Sequence, residues 1–286
     1  MTLESRYTWE KLVLELKLLR AEDFGALVPL CIGIQSVMWP KENNEPCLRS
    51  LQFMSFELQK TCENKSEPER WEILRDFIFN EKGFQLASER PKEIGEDSVL
   101  MRSVLEERIG HPLPVVFLLL HLAHFLELPM ALIQARHHFL LKWVRSGKTL
   151  YLDLYNEGRA LTDQELIAVL NRSSSNLEVW SSKQLITQYL ELLTQAFQRS
   201  HNLAQLHVVY NLMLQLDEGN TQILGERALL RRKLGFTREA LSDLKRYFSF
   251  IEKSHAPSEL QQCWLALEST PDTIPSAPRG PAELLH

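Results

Sequence analysis

The stretch MALIQARHHFLLKWVRSGKTLYLDLY, residues 130–155, changes the period of the chain. Met130-Ala131-Leu132-Ile133 is one short apolar run, and His138 to Val144 is a second. Thr149 to Leu154 then sets Leu150, Leu152 and Leu154 against Tyr151, Asp153 and Tyr155. Alternation with period two is strand geometry, and the Ser146-Gly147-Lys148 turn between the last two runs predicts an antiparallel hairpin. Pro129 closes the helical text before it. A small antiparallel sheet set into an otherwise helical chain gives the expected class: α+β, mostly helical.

Upstream, the spacing is helical. Trp9, Leu12, Leu16 and Leu19 share one face of a helix over residues 8–20. Further helices are expected over about 21–38 and 46–62. Ser66-Glu67-Pro68-Glu69 is a capping box with proline where no amide is needed, so a helix starts there and runs to about Lys82, with Gly83 as its left-handed cap. Trp71, Leu74 and Ile78 mark its core face. Ser88 to Asp97 reads as a loop. A helix is expected from about Ser98 to Ile109, stopping at Gly110, and another begins after Pro112. This last one, Leu113 to Leu126, is expected to pack on the sheet.

Downstream, Thr162-Asp163-Gln164-Glu165 opens a short helix. A long helical region follows from near Ser181. Within it Leu224, Ala228, Gly235, Ala240 and Leu244 carry the small-and-large pattern of a tetratricopeptide helix pair, with a weaker copy centred on Ala204. The proline-rich stretch after Glu268 reads as a disordered tail. The expected organisation is a helical section at 1–63, a core at 64–172, tetratricopeptide-like helices at 181–252 and the tail at 268–286.

The 286 residues carry 32 Lys and Arg against 37 Asp and Glu, a net charge of −5 that argues for neither nucleic acid nor an anionic membrane. Cys31, Cys47, Cys62 and Cys263 have no paired spacing and read as thiols of a reducing compartment. The opening MTLESRYTWEKLVLELKLLR breaks its leucines with charge, unlike a signal peptide, and the apolar run Pro112 to Leu126 is broken by His121 and His124. The expected location is cytoplasmic.

RDFIFNEKGF (75–84), EDSVLMRSVLEERIGHPLPVVFLLLHLAHFLELP (96–129), HHFLLKW with LYLDLYNEGRAL (137–161), and GERALLRRKLGFTREALSDLKRYF (225–248) occur in a fixed order. Together they resemble the bacterial transglutaminase-like proteins known as regulators of sirC expression, over roughly residues 60–250. The resemblance implies a transglutaminase-like core with a Cys-His-Asp triad. There a cysteine at a helix N-terminus is activated by the dipole and free amides, and a histidine and aspartate sit on adjacent strands. By position His138 takes the histidine place and Asp153 the aspartate place. The nucleophile place, after Gly110, holds His111-Pro112-Leu113-Pro114, with neither thiol nor hydroxyl, and His137 stands where the family has glycine.

A degenerate His138–Asp153 dyad therefore reads equally as a residual general base or as a strand entry held by hydrogen bonds. Cys47 and Cys62 read as packing or surface residues, and His111 as a solvated loop histidine. His121 and His124 lack the further ligands a zinc site needs and read as satisfied core or groove residues. No metal or cofactor is expected. Arg227, Arg231, Arg232, Lys233, Arg238, Lys245 and Arg246 outnumber Glu226, Glu239 and Asp243 and read as a solvated helix face without a nucleic-acid reader motif. The functional expectation is a non-catalytic interaction or regulatory module taking a protein or peptide through its tetratricopeptide-like region. The alternative is a residual hydrolase or acyl-transfer enzyme.

Overall fold

The computed structural model describes residues 8–87, 95–135, 138–145, 147–171 and 178–268, with the backbone alone at Gln134, Ala135, His138 and Asn171. The Ser88–Asp97 loop lies mostly outside these residues, as do His137, Ser146 and everything after Glu268. The chain divides into two compact units, residues 1–192 and 193–286.

The first unit opens with α1 (Trp9–Leu18), which buries Leu12 and Leu16. After a 3-10 turn at Phe24–Ala26 comes α2 (Leu27–Met38), apolar on nearly every face and buried accordingly. Its one polar core residue, Gln35, is satisfied at both ends. It donates to the Tyr189 hydroxyl at 3.3 Å and accepts from the Arg102 amide at 3.1 Å. Next come α3 (Glu45–Thr61) and α4 (Glu67–Asp76). The expected capping box forms: the Glu69 carboxylate accepts from Ser66 N at 2.9 Å and Ser66 Oγ at 2.6 Å. α4 runs on as a π-helical turn, Phe77–Glu81, and Gly83 follows at φ +70°.

β1 (Gln85–Leu86) pairs in parallel with β2 (Ile109–Gly110), and α5 (Glu96–Val99) and α6 (Met101–Glu107) lie between them. The helix expected over Ser98 to Ile109 is thus broken at Leu100 and ends early. Arg108 turns left-handed at φ +62°, which frees Ile109 and Gly110 to pair as a strand. α7 (Pro112–Phe125) is buried along most of its length. β3 (Met130–Ala135), β4 (His138–Arg145), β5 (Lys148–Asp153) and β6 (Arg159–Ala160) then form one antiparallel sheet in sequence order. α7 packs against β3, and α4 covers β4 through Trp71, whose ring lies 6.4 Å from that of Trp143. The reading of Trp71, Leu74 and Ile78 as core holds. α8 (Asp163–Asn171) starts at the Thr162 box, with Glu165 accepting from Thr162 N at 2.8 Å.

The division between units falls within α9 (Ser182–Ser200). The second unit continues with α10 (Leu203–Leu216), α11 (Thr221–Lys233), α12 (Thr237–Phe250) and α13 (Ser258–Glu268). α11 and α12 form a helix hairpin, turning at Gly235 with φ +86°. Leu224, Ala228, Ala240 and Leu244 are all fully buried, because small residues let the two helices approach. Gly225 does the same toward α13, since a Cβ there would stand 2.9 Å from Leu260 Cδ1. Ala204 begins α10 but is exposed, so it is not a close-approach residue of an earlier repeat.

Candidate functional site

The head of α7 is shaped by Gly110 and the two prolines. A Cβ at Gly110 would lie 2.4 Å from Val104 Cγ2, so only glycine lets β2 pass this close to α6. The next residue, His111, is the N-cap of α7, extended at φ −53° and ψ 142°. A helix start leaves its first four N–H groups without intrahelical partners, and these attract anions and activate thiols. Here all four are accounted for. His111 N donates to Ser98 O at 2.6 Å, Pro112 and Pro114 have no N–H, and Leu113 N donates to His111 Nδ1 at 3.2 Å.

His111 is therefore a buried structural cap, where the sequence suggested a solvated loop histidine; it is 9% exposed. Burial pushes its pKa down from 6.5 to about 4, so the ring is neutral near pH 7 and carries its proton on Nε2. The one hydroxyl whose backbone bonds to His111, that of Ser98, donates to Gly95 O at 2.8 Å.

Asp153 ends β5 and is 3% exposed. It caps the 3-10 turn Leu154–Asn156: Oδ1 accepts from Tyr155 N at 3.0 Å and Oδ2 from Asn156 Nδ2 at 2.5 Å. Its carbonyl accepts from Gly158 N at 2.8 Å, and Gly158, at φ +74°, sits so close that a Cβ would meet Trp71 Cζ2 at 2.6 Å. Both carboxylate oxygens thus help to hold the turn that leads to β6. On β4 the register partner of Asp153 is Leu140, two residues beyond His138, which itself pairs with Ala135. The fold therefore brings positions 138 and 153 onto adjacent antiparallel strands. The His138 side chain lies outside the described residues.

The thiols offer no substitute nucleophile. Cys31, Cys47, Cys62 and Cys263 are all free and buried. Burial pushes Cys31 and Cys62 up and Cys47 to about 11, the opposite of what a reactive thiolate needs. His121 is a satisfied groove histidine: its Nδ1 lies 2.6 Å from Gly25 O. His124 is exposed and packs on the same glycine, where a Cβ would come within 2.5 Å of its ring. Among the described residues no group of three potential ligands could hold a metal ion. A cavity of about 520 Å³, lined by Phe56, Cys62, Arg70, Phe125, Leu126 and Glu127, lies at the opposite end of α7 from His111.

The basic segment is only partly a solvated face. Arg232, Lys233, Arg238, Lys245 and Arg246 are exposed, but Arg227 and Arg231 turn inward. Arg227 grips Asp243 with two bonds of 2.9 and 2.6 Å and donates to Asn211 Oδ1 at 2.9 Å. Arg231 donates to the same carboxylate at 2.9 Å and to His207 Nε2 at 3.1 Å. Charge counting along a sequence cannot see this, but the i, i+4 spacing of Arg227 and Arg231 beside buried Ala228 was a signal that one turn of arginine faces inward.

A buried helix packed on a small antiparallel sheet is the arrangement expected of a transglutaminase-like core. The profile of the Transglutaminase-like superfamily matches residues 45–199, more than half of the chain, and the chain belongs to that family. It is also similar to a UPF0162 protein of Xylella fastidiosa (strain Temecula1), 25% identical over 171 residues that cover 54% of this chain and 59% of the relative. The match thus spans well under two thirds of that relative's length. No solved structure gives a significant match. Among the described residues no helix is long and apolar enough to cross a membrane.

Proposed function

We propose that this chain is a catalytically silent member of its superfamily that acts as a protein-interaction or regulatory module. One observation carries the reading: the α7 head holds no attacking atom and offers no free amide. Residues 111–114 lack a thiol or hydroxyl, and the four leading N–H groups are bonded or absent. Activation of a nucleophile at a helix start needs both. The C-terminal helices, whose hairpin follows the tetratricopeptide pattern, supply a surface for a peptide partner.

A second reading, a His138–Asp153 dyad acting as general base toward water, is favoured by the burial of Asp153 and its placement one strand from position 138. Thiol-reactive probes and a panel of amide and ester substrates, applied to the full chain and to His138→Ala, separate the two. The silent reading expects the same background in both proteins. Turnover that disappears in His138→Ala overturns it.

A further inference from the structure

The charges of the second unit are sorted by end. The bond from Arg231 to His207 sets the start of α10 beside the end of α11, and the Gly235 turn brings the start of α12 to the same place. Arg232, Lys233 and Arg238 stand around that turn, all exposed. Among the described residues none of the three side chains has an ion-pair or hydrogen-bond partner, whereas Arg227 and Arg231 are spent on Asp243. The other acid between residues 227 and 243 is Glu239, which is half-buried and acts on Arg231. At the far end the acids gather. Asp217 and Glu218 form the α10–α11 turn, and Glu259 begins α13, whose Leu260 packs at Gly225 near the start of α11. The cations there are engaged, Arg246 on Glu218 at 3.4 Å and Lys253 over the Trp264 ring at 4.1 Å. Local stability accounts for Arg232 and Lys233, which suit the negative end of the α11 dipole. It does not account for Arg238. That cation stands in the first turn of α12, at the positive end of its dipole, and the N-cap Phe236 supplies no acceptor.

We propose that this basic end is a docking surface for an acidic peptide segment, a run of Asp or Glu whose carboxylates pair with Arg232, Lys233 and Arg238. The inference rests on the reading of the C-terminal helices as a peptide-binding module and adds the chemistry of the partner. Charge complementarity selects that partner although the whole chain stands at −5, because physiological salt screens exposed charges beyond about 8 Å and leaves the local cluster to act. Carboxylates at the turn also offset the misplaced cation at the head of α12. A nucleic acid fits less well. The ring beside the cluster, Phe236, is half-buried and lies 5.6 Å from the His207 ring, so it packs inward where a base would need an open face.

The test uses the full chain and a fluorescently labelled decapeptide of glutamate, with a glycine-serine decapeptide and a ten-nucleotide oligothymidylate as comparisons. Anisotropy in 50 mM salt is expected to show saturable binding of the glutamate peptide, weakened about tenfold in 200 mM salt as exposed pairs are screened. In 100 mM salt, combining Arg232→Glu, Lys233→Glu and Arg238→Glu should weaken binding by about tenfold or more. The same reversal at the exposed Lys17, Lys41 and Lys65 of the first unit should change it by less than about threefold. If the reversed cluster does not fold, glutamine at the same three positions takes its place, with the same direction expected. Absence of saturable binding in 50 mM salt, an equal loss in the two triple variants, or tighter binding of the oligothymidylate overturns the proposal. Preferential binding of the glycine-serine peptide also overturns it, while leaving a peptide-binding module in place. The silent reading of the first unit stands or falls separately, on turnover in His138→Ala.

Discussion

The cap at His111 predicts a specific acid sensitivity of the first unit. Burial lowers its folded pKa from 6.5 to about 4. A histidine whose folded value is depressed binds more protons when unfolded, so its contribution is complete above the unfolded value and is lost as pH falls toward the folded one. The full loss over that window is about 3 kcal/mol, and the part that falls between pH 7 and pH 5 is about 2 kcal/mol. The perturbation is His111→Asn, which keeps a side-chain acceptor for Leu113 N and cannot titrate. Urea unfolding followed by tryptophan fluorescence is a suitable assay, because five of the six tryptophans lie within residues 1–192 and only Trp264 lies beyond. Wild type should lose about 2 kcal/mol more than His111→Asn on going from pH 7 to pH 5. Equal losses in the two proteins would refute the reasoning, because the ring would then be taking its proton without disturbing the cap.

Two further outcomes follow from the same geometry. His111→Cys removes the imidazole that caps Leu113 N and leaves that single amide to the new thiol, while Pro112 and Pro114 withhold their own; its rate of alkylation by iodoacetamide at pH 7 should therefore rise only modestly above that of an unactivated cysteine. A strongly accelerated rate would show that the helix head still activates. Asp243→Asn leaves Arg227 and Arg231 without their shared carboxylate and should cost the C-terminal unit about 3–5 kcal/mol, as removal of one partner from a buried ion cluster does. Hydrogen exchange of the α11 and α12 amides measures it, and a change below about 1 kcal/mol would mean the network is solvated in solution.

What the sequence revealed followed from how local each signal was. The Ser66 and Thr162 boxes and the Gly147 turn are decided within four or five residues, and each lies where the sequence placed it, whereas the alternation over Thr149 to Leu154 does not carry into burial, since Asp153 is as buried as Leu152 and Leu154 has left the strand. The break at Arg108 was hidden because the pairing that stabilises it, β2 with β1, joins residues more than twenty positions apart. His111 was misread for a related reason. Its amide is held by Ser98 O, across the length of α6, which a short window around the histidine does not contain. Arg227 and Arg231 pose the same problem in reverse: a count of charges assigned them to solvent, while Asp243, Asn211 and His207, contributed by two other helices, draw them inward. The scarcity of free amides at the α7 head was nevertheless legible, and it adds to the missing thiol. The spacing His-Pro-Leu-Pro states which amides are absent, and an imidazole one residue before the first proline is within reach of the amide between them. Reading prolines as deleted donors, as well as helix starts, turns an argument about a lost side chain into one about a lost electrostatic site.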